Sequence, residues 1–366
     1  MRTSESTSAE MCALDASVER DWEELAARLG APPFLRPGWF AAFAPAFGLA
    51  ELRVACVRRG RTLVAALPLV ASRGALTGPV NWHTPAYGAV AKDDEAAAAL
   101  AEHLLRSRAR RLDLSFLMPG DPLGVALSAA AAAARRPVLE RVVRRSPYID
   151  LAGSWEEFEA ALSRRRRANI RRRWRRLEER GEVTVELVDG TERLDAPLAE
   201  AYGIEAAGWK GEGGTAIASE PETESFYGAL ARWAAERGWL RIWFLRLDGR
   251  AIAFAYCLVQ GGVLYGLKVG FEPDARPFAP GTLLTREMLV AAFADGLDRY
   301  ELLGQPDPYK LDWTDDIHDL TRLQVFARSP SGLASLATWK HGRPLIQRAR
   351  GAVRSEALRR RLRPTR

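Results

Sequence analysis

The sequence predicts a mixed α/β fold in which two similar units follow one another, their sheets mostly antiparallel with helices on the faces. Three observations lead there. The stretch RRGRTLVAALPLV (58–70) resembles LDGRAIAFAYCLV (247–259): in both, a Gly-Arg turn feeds an apolar run, the pattern of a hairpin entering a buried strand. The stretch RRLDLSFL (110–117) resembles DRYELLGQ (298–305). Gly60 and Gly249 lie 189 residues apart and Arg111 and Arg299 lie 188 apart, and between the anchors each half carries one helical stretch, Glu95–Arg106 and Thr282–Ala294. Two anchors at nearly one offset predict a tandem duplication. The first unit is expected over 12–150, the second over 151–330, and a basic helical tail over 331–366. A chain of 366 residues also exceeds what one hydrophobic core usually organises.

The common unit reads helix, antiparallel strands, helix, strand. In the second half a helix around Trp155–Leu162 precedes a basic helix, Arg164–Arg180, whose Ile170, Trp174 and Leu177 fall on one stripe at helical spacing. Strand Val183–Val188 follows, then helix Ala196–Ala207 and the Gly-rich loop GEGG (211–214). Helix Glu222–Glu236 leads to three apolar strands, Arg241–Leu247, Ile252–Gln260 and Val263–Phe271. Helix Thr282–Ala294, opened by Pro280-Gly281, and strand Arg299–Leu303 close the unit.

Composition narrows the function classes. A 48% hydrophobic and 27% charged content is that of a globular protein. No run of about 18 apolar residues exists, so no spanning helix is expected, and the polar, acidic start MRTSESTSAE does not read as a secretory signal. Three distant cysteines (Cys12, Cys56, Cys257) at no metal or redox spacing fit a reducing cytoplasm. The net charge of +7 is concentrated: residues 164–180 carry +8, residues 340–366 carry +9, and the rest of the chain −10. The high pI therefore describes two segments, and no specific nucleic-acid surface is implied. Either basic segment could meet an anionic polymer or a membrane surface instead. Lysine is scarce, at five against 48 arginines, so each remaining lysine is weakly marked as needed for its own shape and hydration.

The sharpest motif is Arg276-Pro-Phe-Ala279-Pro-Gly281 between strand Val263–Phe271 and the helix opening at Thr282. A small-residue loop before a helix presents backbone N–H groups and the positive end of the helix dipole to an anion. The loop resembles the coenzyme A-binding loop of the GNAT N-acetyltransferases, Q/R-x-x-G-x-G/A, with Ala279 in place of the first glycine. Four further phrases resemble the CelD/BioF-like acetyltransferases, relatives of the Fem aminoacyl transferases: RRRRANIRRRWRRLEERG (164–181), EAAGWKGEGGTAI (205–217), PGTLL (280–284) and LLGQPDPYKLDW (302–313). The resemblance implies acetyl-CoA as co-substrate, held by Arg276, Ala279, Gly281 and Thr282 with Val269 and Phe271 of the preceding strand. It implies an amine acceptor, an amino sugar or a polysaccharide-linked amine by family analogy. The first unit lacks the loop, since its counterpart AYGAVAKDDEAA (86–97) puts acids where phosphate would sit.

Acyl transfer to an amine needs the thioester held, the ammonium deprotonated and the leaving thiolate protonated. The four histidines are scattered, no G-x-S-x-G elbow exists and no metal spacing occurs, so direct attack without metal or covalent intermediate is expected. Tyr309 stands where many GNAT enzymes place a general acid, and a half-buried loop aromatic is its other reading. Lys310 suits a phosphate or a substrate carboxylate, and Asp307, between two prolines, also reads as a turn residue. Glu205, near a helix end, is the candidate base or a solvated glutamate. Trp209 and Lys210, entering GEGG, suit an acceptor lid. Lys268, the one charge in its strand, points into the cleft or to solvent. Two other functions share these features: a Fem-like transfer from charged tRNA, for which the basic helix would be the footprint, and a non-enzymatic scaffold for an anionic polymer.

Overall fold

In the computed structural model, which describes residues 6–49, 51–190, 194–207 and 220–342, the strands form one continuous sheet that reads the same from either end. The first half contributes β1 (Thr7–Ala13), α1 (Ala16–Arg28), α2 (Pro37–Ala46), β2 (Arg53–Arg59), β3 (Thr62–Ser72), β4 (Ala75–Thr77), β5 (Val90–Ala91), α3 (Asp94–Arg106), β6 (Arg111–Leu117), α4 (Pro122–Ala133) and β7 (Val138–Asp150). The second contributes α5 (Trp155–Ala161), α6 (Arg164–Glu178), β8 (Val183–Val188), α7 (Asp195–Ala207), α8 (Pro221–Ala235), β9 (Leu240–Leu247), β10 (Arg250–Gln260), β11 (Val263–Phe271), α9 (Pro280–Ala294), β12 (Arg299–Glu301), α10 (Pro308–Leu311), β13 (Ile317–Phe326) and α11 (Pro330–Ala337). The order across the sheet is β1-β2-β3-β4-β6-β13-β7-β12-β11-β10-β9-β8, with β5 beside β3.

The duplication is visible in that order. Strands β1, β2, β3, β4 and β6 match β8, β9, β10, β11 and β12, and the named-strand pairings are antiparallel except at two corresponding places, β4–β6 and β11–β12. Gly60 and Gly249, both at positive φ (58° and 78°), turn the corresponding hairpins β2–β3 and β9–β10. Helices α3 and α9 make the corresponding crossovers, as a parallel pair requires.

The centre of the sheet departs from two separate units. Strand β7 pairs through Tyr148–Asp150 with β12, and β13 pairs with β6 and β7. Each half therefore donates its last strand to the edge of the other. Besides the short strands β4 and β5, three strands escape the sequence reading for a physical reason. β1 is an exposed edge, and β7 and β13 interleave Arg, Glu and Asp with their buried positions, so neither presents a continuous apolar run. The expected tail is described only as α11 and the turn Thr338–Gly342; residues 343–366 lie outside the described residues.

Strand β12 ends at Glu301, two residues earlier than the sequence suggests. Leu303 and Gly304 take positive φ (54° and 69°), which turns the chain out of the ladder. Phe116 (φ 67°), the counterpart of Gly304 at the 188-residue offset, takes the same left-handed conformation in β6, where it forms a bulge: Leu117 beyond it still pairs with Thr321 of β13. In both halves the parallel neighbours part shortly before these residues, β4 and β6 after Thr77 and Asp113, β11 and β12 after Tyr265 and Glu301. In the first half the opening is filled: Tyr87, 1% exposed, bridges to Leu117 and donates from its hydroxyl to the Pro68 carbonyl at 2.6 Å. Gly78 lies so close beneath the Tyr87 ring that a Cβ there would come within 2.8 Å. In the second half the opening is a cavity. Among the described residues no helix is long and apolar enough to cross a membrane.

The exchange predicts mutual dependence of the halves. A fragment covering 151–342 leaves β12 without β7 and β13 without both neighbours. It is expected to lack a cooperative thermal transition alone and to regain one when 1–150 is supplied in trans, which near-ultraviolet circular dichroism would follow.

Candidate active site

The cavity, about 780 Å³, lies where β11 and β12 part. The two strands pair only through Val263–Tyr265 and Arg299–Glu301, whereas β11 runs on along β10 to Phe271. From Gly266 onward β11 no longer pairs with β12, and its residues there line the cavity. A bulge adds to this: the register passes from Cys257↔Gly266 to Tyr256↔Lys268, leaving Leu267 outside the ladder. Helix α7 packs closely on this strand. A Cβ on Gly270 would strike the Phe254 ring at 2.5 Å and approach Glu205 Cα at 3.4 Å, so only glycine fits there.

One end of the cavity is the motif read from the sequence. After β11 a 3₁₀ turn, Pro273–Phe278, leads to Ala279, which takes the left-handed conformation (φ 51°, ψ 57°) before α9. The glycine of the related pattern suits that conformation better, and Ala279 carries the cost of a methyl. Arg276, Ala279, Gly281 and Thr282 line the cavity together with Val269 and Phe271. No side chain caps α9, and the Thr282 and Leu283 amides donate to the Ala279 carbonyl at 2.9 and 3.3 Å. That leaves the Gly281 amide without a protein acceptor among the described residues, at the positive end of a 15-residue helix.

The basic helix α6 docks beside this loop. Ile170 and Leu177 are buried and Trp174 is half-buried, the stripe expected from spacing. Arg176 and Arg180 lie 5.8 and 6.0 Å from the Phe278 ring. Arg166 is already engaged: it pairs with Asp312 at 2.6 Å and stacks 4.2 Å over Trp313.

The floor is ionic. Glu205 from α7 and Lys268 from β11 meet at 3.5 Å, 1% and 5% exposed. Neither is the solvated side chain that was the alternative reading. The Lys268 ammonium sits 4.3 Å over Trp82 and 5.3 Å from the Tyr227 ring. Behind them His83 Nδ1 is 3.2 Å from the Tyr227 hydroxyl and Nε2 is 3.3 Å from Thr223 Oγ1, whose hydroxyl donates to Glu220 at 3.3 Å. Burial, and then the Lys268 charge, push the His83 pKa down to about 3, so the imidazole is neutral. A neutral ring accepts from Tyr227 at Nδ1 and donates from Nε2 to Thr223. Burial and the Glu205 carboxylate hold the Tyr227 phenol well above its usual range.

Tyr309, Lys310 and Asp307 form the far wall. Tyr309 is 48% exposed, and its phenol is raised above the usual value by its surroundings and then by Asp307, so it stays protonated. Lys310 is engaged within its own loop. Its ammonium donates to Leu303 O at 2.7 Å and Gln305 O at 3.0 Å and pairs with Asp307 at 3.1 Å. It is a clamp on its own loop, and Asp307 is part of that clamp. Trp209 and Lys210 lie outside the described residues.

Five cavity residues come from the first half and were not anticipated: Trp82, His83, Thr84 and Pro85, on the turn after β4, and Arg144 of β7. The adjacent Trp-His pair in a Gly- and Pro-rich segment was the available signal for the first two. Among the described residues no group of three or more His, Cys, Asp and Glu is placed to hold a metal.

The neutral His83 has a consequence for stability. Its folded pKa, about 3, lies below the unfolded 6.5, so the unfolded chain binds the extra proton between these values. The contribution is complete above pH 6.5 and is lost as pH falls toward 3, at up to about 1.4 kcal/mol per pH unit. His83→Phe is expected to flatten this segment of a denaturant-derived stability profile; an unchanged slope means the imidazole is charged in the fold.

Residues 164–311 match the profile of the acetyltransferase (GNAT) domain family. No curated protein sequence matches the chain. Among solved structures the chain is similar to FemX, with a TM-score of 0.57 and 14% identity over 88% of this chain and 98% of that one. It is also similar to the C-terminal DUF2156 domain of a lysylphosphatidylglycerol synthetase from Agrobacterium fabrum (TM-score 0.55, 14% identity, 88% and 95% covered). L-PGS from Bacillus licheniformis is a third (TM-score 0.55, 12% identity, 88% and 96% covered). Identities this low establish a shared fold.

Proposed function

We propose, from the premise that residues 164–311 are a GNAT acetyltransferase domain, that the protein transfers an acyl group, acetyl in the simplest case, from an acyl-coenzyme A thioester to an amine by direct attack. The observation that carries this reading is the cavity between the parted β11 and β12, closed at one end by the uncapped start of α9. An extended amide chain suits the strand edge of β11 that lines the cavity, and a pyrophosphate suits the Gly281 amide and Arg276. Space supports it as well: a Cβ on Gly281 would meet only Phe271, at 3.9 Å. No cysteine or serine lines the cavity among the described residues, and the buried Cys257 has its thiol pushed far up by desolvation, which favours attack by the amine itself.

Glu205 then takes the ammonium proton, with Lys268 beside it at 3.5 Å holding the carboxylate in place. Tyr309, protonated and on the opposite wall, gives its proton to the departing thiolate. Trp209 and Lys210 are assigned to the acceptor side. The acceptor is proposed as an amino sugar or a polysaccharide-linked amine. The thiols of Cys12, Cys56 and Cys257 are all free, which supports a reducing, cytoplasmic setting.

A second reading has one specific observation in its favour. The arginines of α6 stand beside the anion-binding loop, where they would also suit the phosphates of a charged tRNA, as in Fem-like transfer, or another anionic polymer or membrane surface. Thermal shift separates the donors, since acetyl-CoA should raise the melting temperature under the first reading and tRNA under the second.

Gly281→Asp places a carboxylate where the pyrophosphate is proposed and has room to do so. The variant is expected to melt normally and to lose acetyl-CoA binding by calorimetry; undiminished affinity would remove the loop from the coenzyme site. For Tyr309→Phe we expect acetyl-CoA affinity to be kept while turnover falls roughly 10²-fold, the usual scale of a general acid. A structural ring would instead cost about 1 kcal/mol of stability with turnover intact.

A further inference from the structure

We propose that Arg144 is the seat of an acceptor carboxylate, so that the amine acylated in this cavity carries an acid group of its own; the inference rests on the acyl-transfer reading and names its substrate class. Because β7 crosses to the second half, this guanidinium of the first half lines the cavity. It is 8% exposed and lies 3.8 Å over the Phe116 ring. Its Nη1 donates to the carbonyls of Thr84 and Pro85 at 2.5 and 3.3 Å. Nε and Nη2 donate to no protein atom among the described residues, yet neither belongs to the buried atoms sealed off without a partner.

No carboxylate pairs with Arg144 among the described residues. The other inward arginines differ: Arg36 pairs with Glu23 at 2.7 Å, Arg322 with Asp113 at 2.6 Å, and Arg246 with Glu200 at 2.8 Å. Burial alone pushes the Arg144 pKa down to about 10, which leaves it charged at neutral pH. A buried cation whose partners are neutral carbonyls is costly until an anion arrives.

The geometry says which anion. The turn that Arg144 braces at Thr84 and Pro85 carries His83 and Trp82, and Trp82 covers Lys268, the partner of Glu205. The guanidinium thus contacts one end of this short turn, and Lys268, the ion-pair partner of the proposed base, contacts the other. An ammonium near Glu205 and a carboxylate on Arg144 match both charges. A single guanidinium fork balances one carboxylate, whereas a phosphate dianion needs more cations than this end supplies.

The test is calorimetric binding of acid and neutral pairs to the full chain without donor: glycine, β-alanine and 4-aminobutyrate against their carboxamides, and glucosaminate against glucosamine. For at least one pair the acid is expected to bind about 10-fold tighter or more, the scale of a charged hydrogen-bonded pair. Arg144→Met should erase that preference while acetyl-CoA affinity stays unchanged. If the methionine variant does not fold, Arg144→Lys, which keeps the charge and loses the fork, should narrow it. Equal affinities within every pair, or a preference that survives substitution, would overturn the seat. Acid preference without acetyl-CoA binding would leave the seat standing and remove the coenzyme reading instead.

Discussion

Strand β12 is three residues long, and its parallel pairing with β11 stops at Tyr265. Had the pairing continued to Phe271, the space between the strands would be filled by ladder hydrogen bonds. The pairing stops because Leu303 and Gly304 turn the chain aside through the left-handed region, which leucine tolerates poorly. Such a conformation persists only where the surroundings over-determine it. Here the Lys310 ammonium draws the Leu303 and Gln305 carbonyls together and is itself anchored by Asp307. The clamp, the kink and the cavity form one causal chain, so the residues beside the chemistry include several that only keep it open.

The same kink occurs in the first half, at Phe116, with the opposite outcome. There Tyr87 occupies the opening and ties itself to Pro68, and the helix that follows begins with Asp94 and Glu95. An anion would find no entry and no welcome. What the first half retains is its last strand and one turn, and both are lent to the other half: β7 brings Arg144, and the turn after β4 brings Trp82 and His83. The strand exchange makes this lending possible, because it puts the first half's chain inside the second half's cavity wall. Of the two similar halves, one thus encloses a cavity and the other supplies part of its wall.

Sequence reading reached the parts whose signals are local. The hairpins at Gly60 and Gly249 announce themselves through a turn and an apolar run, and the anion loop through small residues before a helix start. Glu205 and Lys268 were reached as candidates, but nothing local told that they are buried against each other, since that follows from how α7 lies on β11 over Gly270. The exchanged strands were not legible. In VLERVVRRSPYID charged residues at exposed positions interrupt the apolar pattern, so the stretch shows no continuous apolar run. Arg144 is hidden for a further reason: it is one arginine among 48, and only its tertiary setting, buried and without an acid, separates it from the rest.

Lysine usage carries the last link between composition and chemistry. In a chain that favours arginine so strongly, Lys268 and Lys310 occupy places where a guanidinium would fail for geometric reasons. Lys310 gathers three oxygens around one nitrogen, a task for the three divergent donors of an ammonium and not for a planar fork. Lys268 sits over the Trp82 ring while reaching Glu205, and the compact head group meets both within one buried space. Arg144, in contrast, holds two carbonyls with one nitrogen and keeps the rest of its fork turned to the cavity, which a lysine could not do. The choice of cation at each position follows the number and direction of the oxygens it must meet, and at the acceptor end that choice calls for a flat, two-oxygen anion.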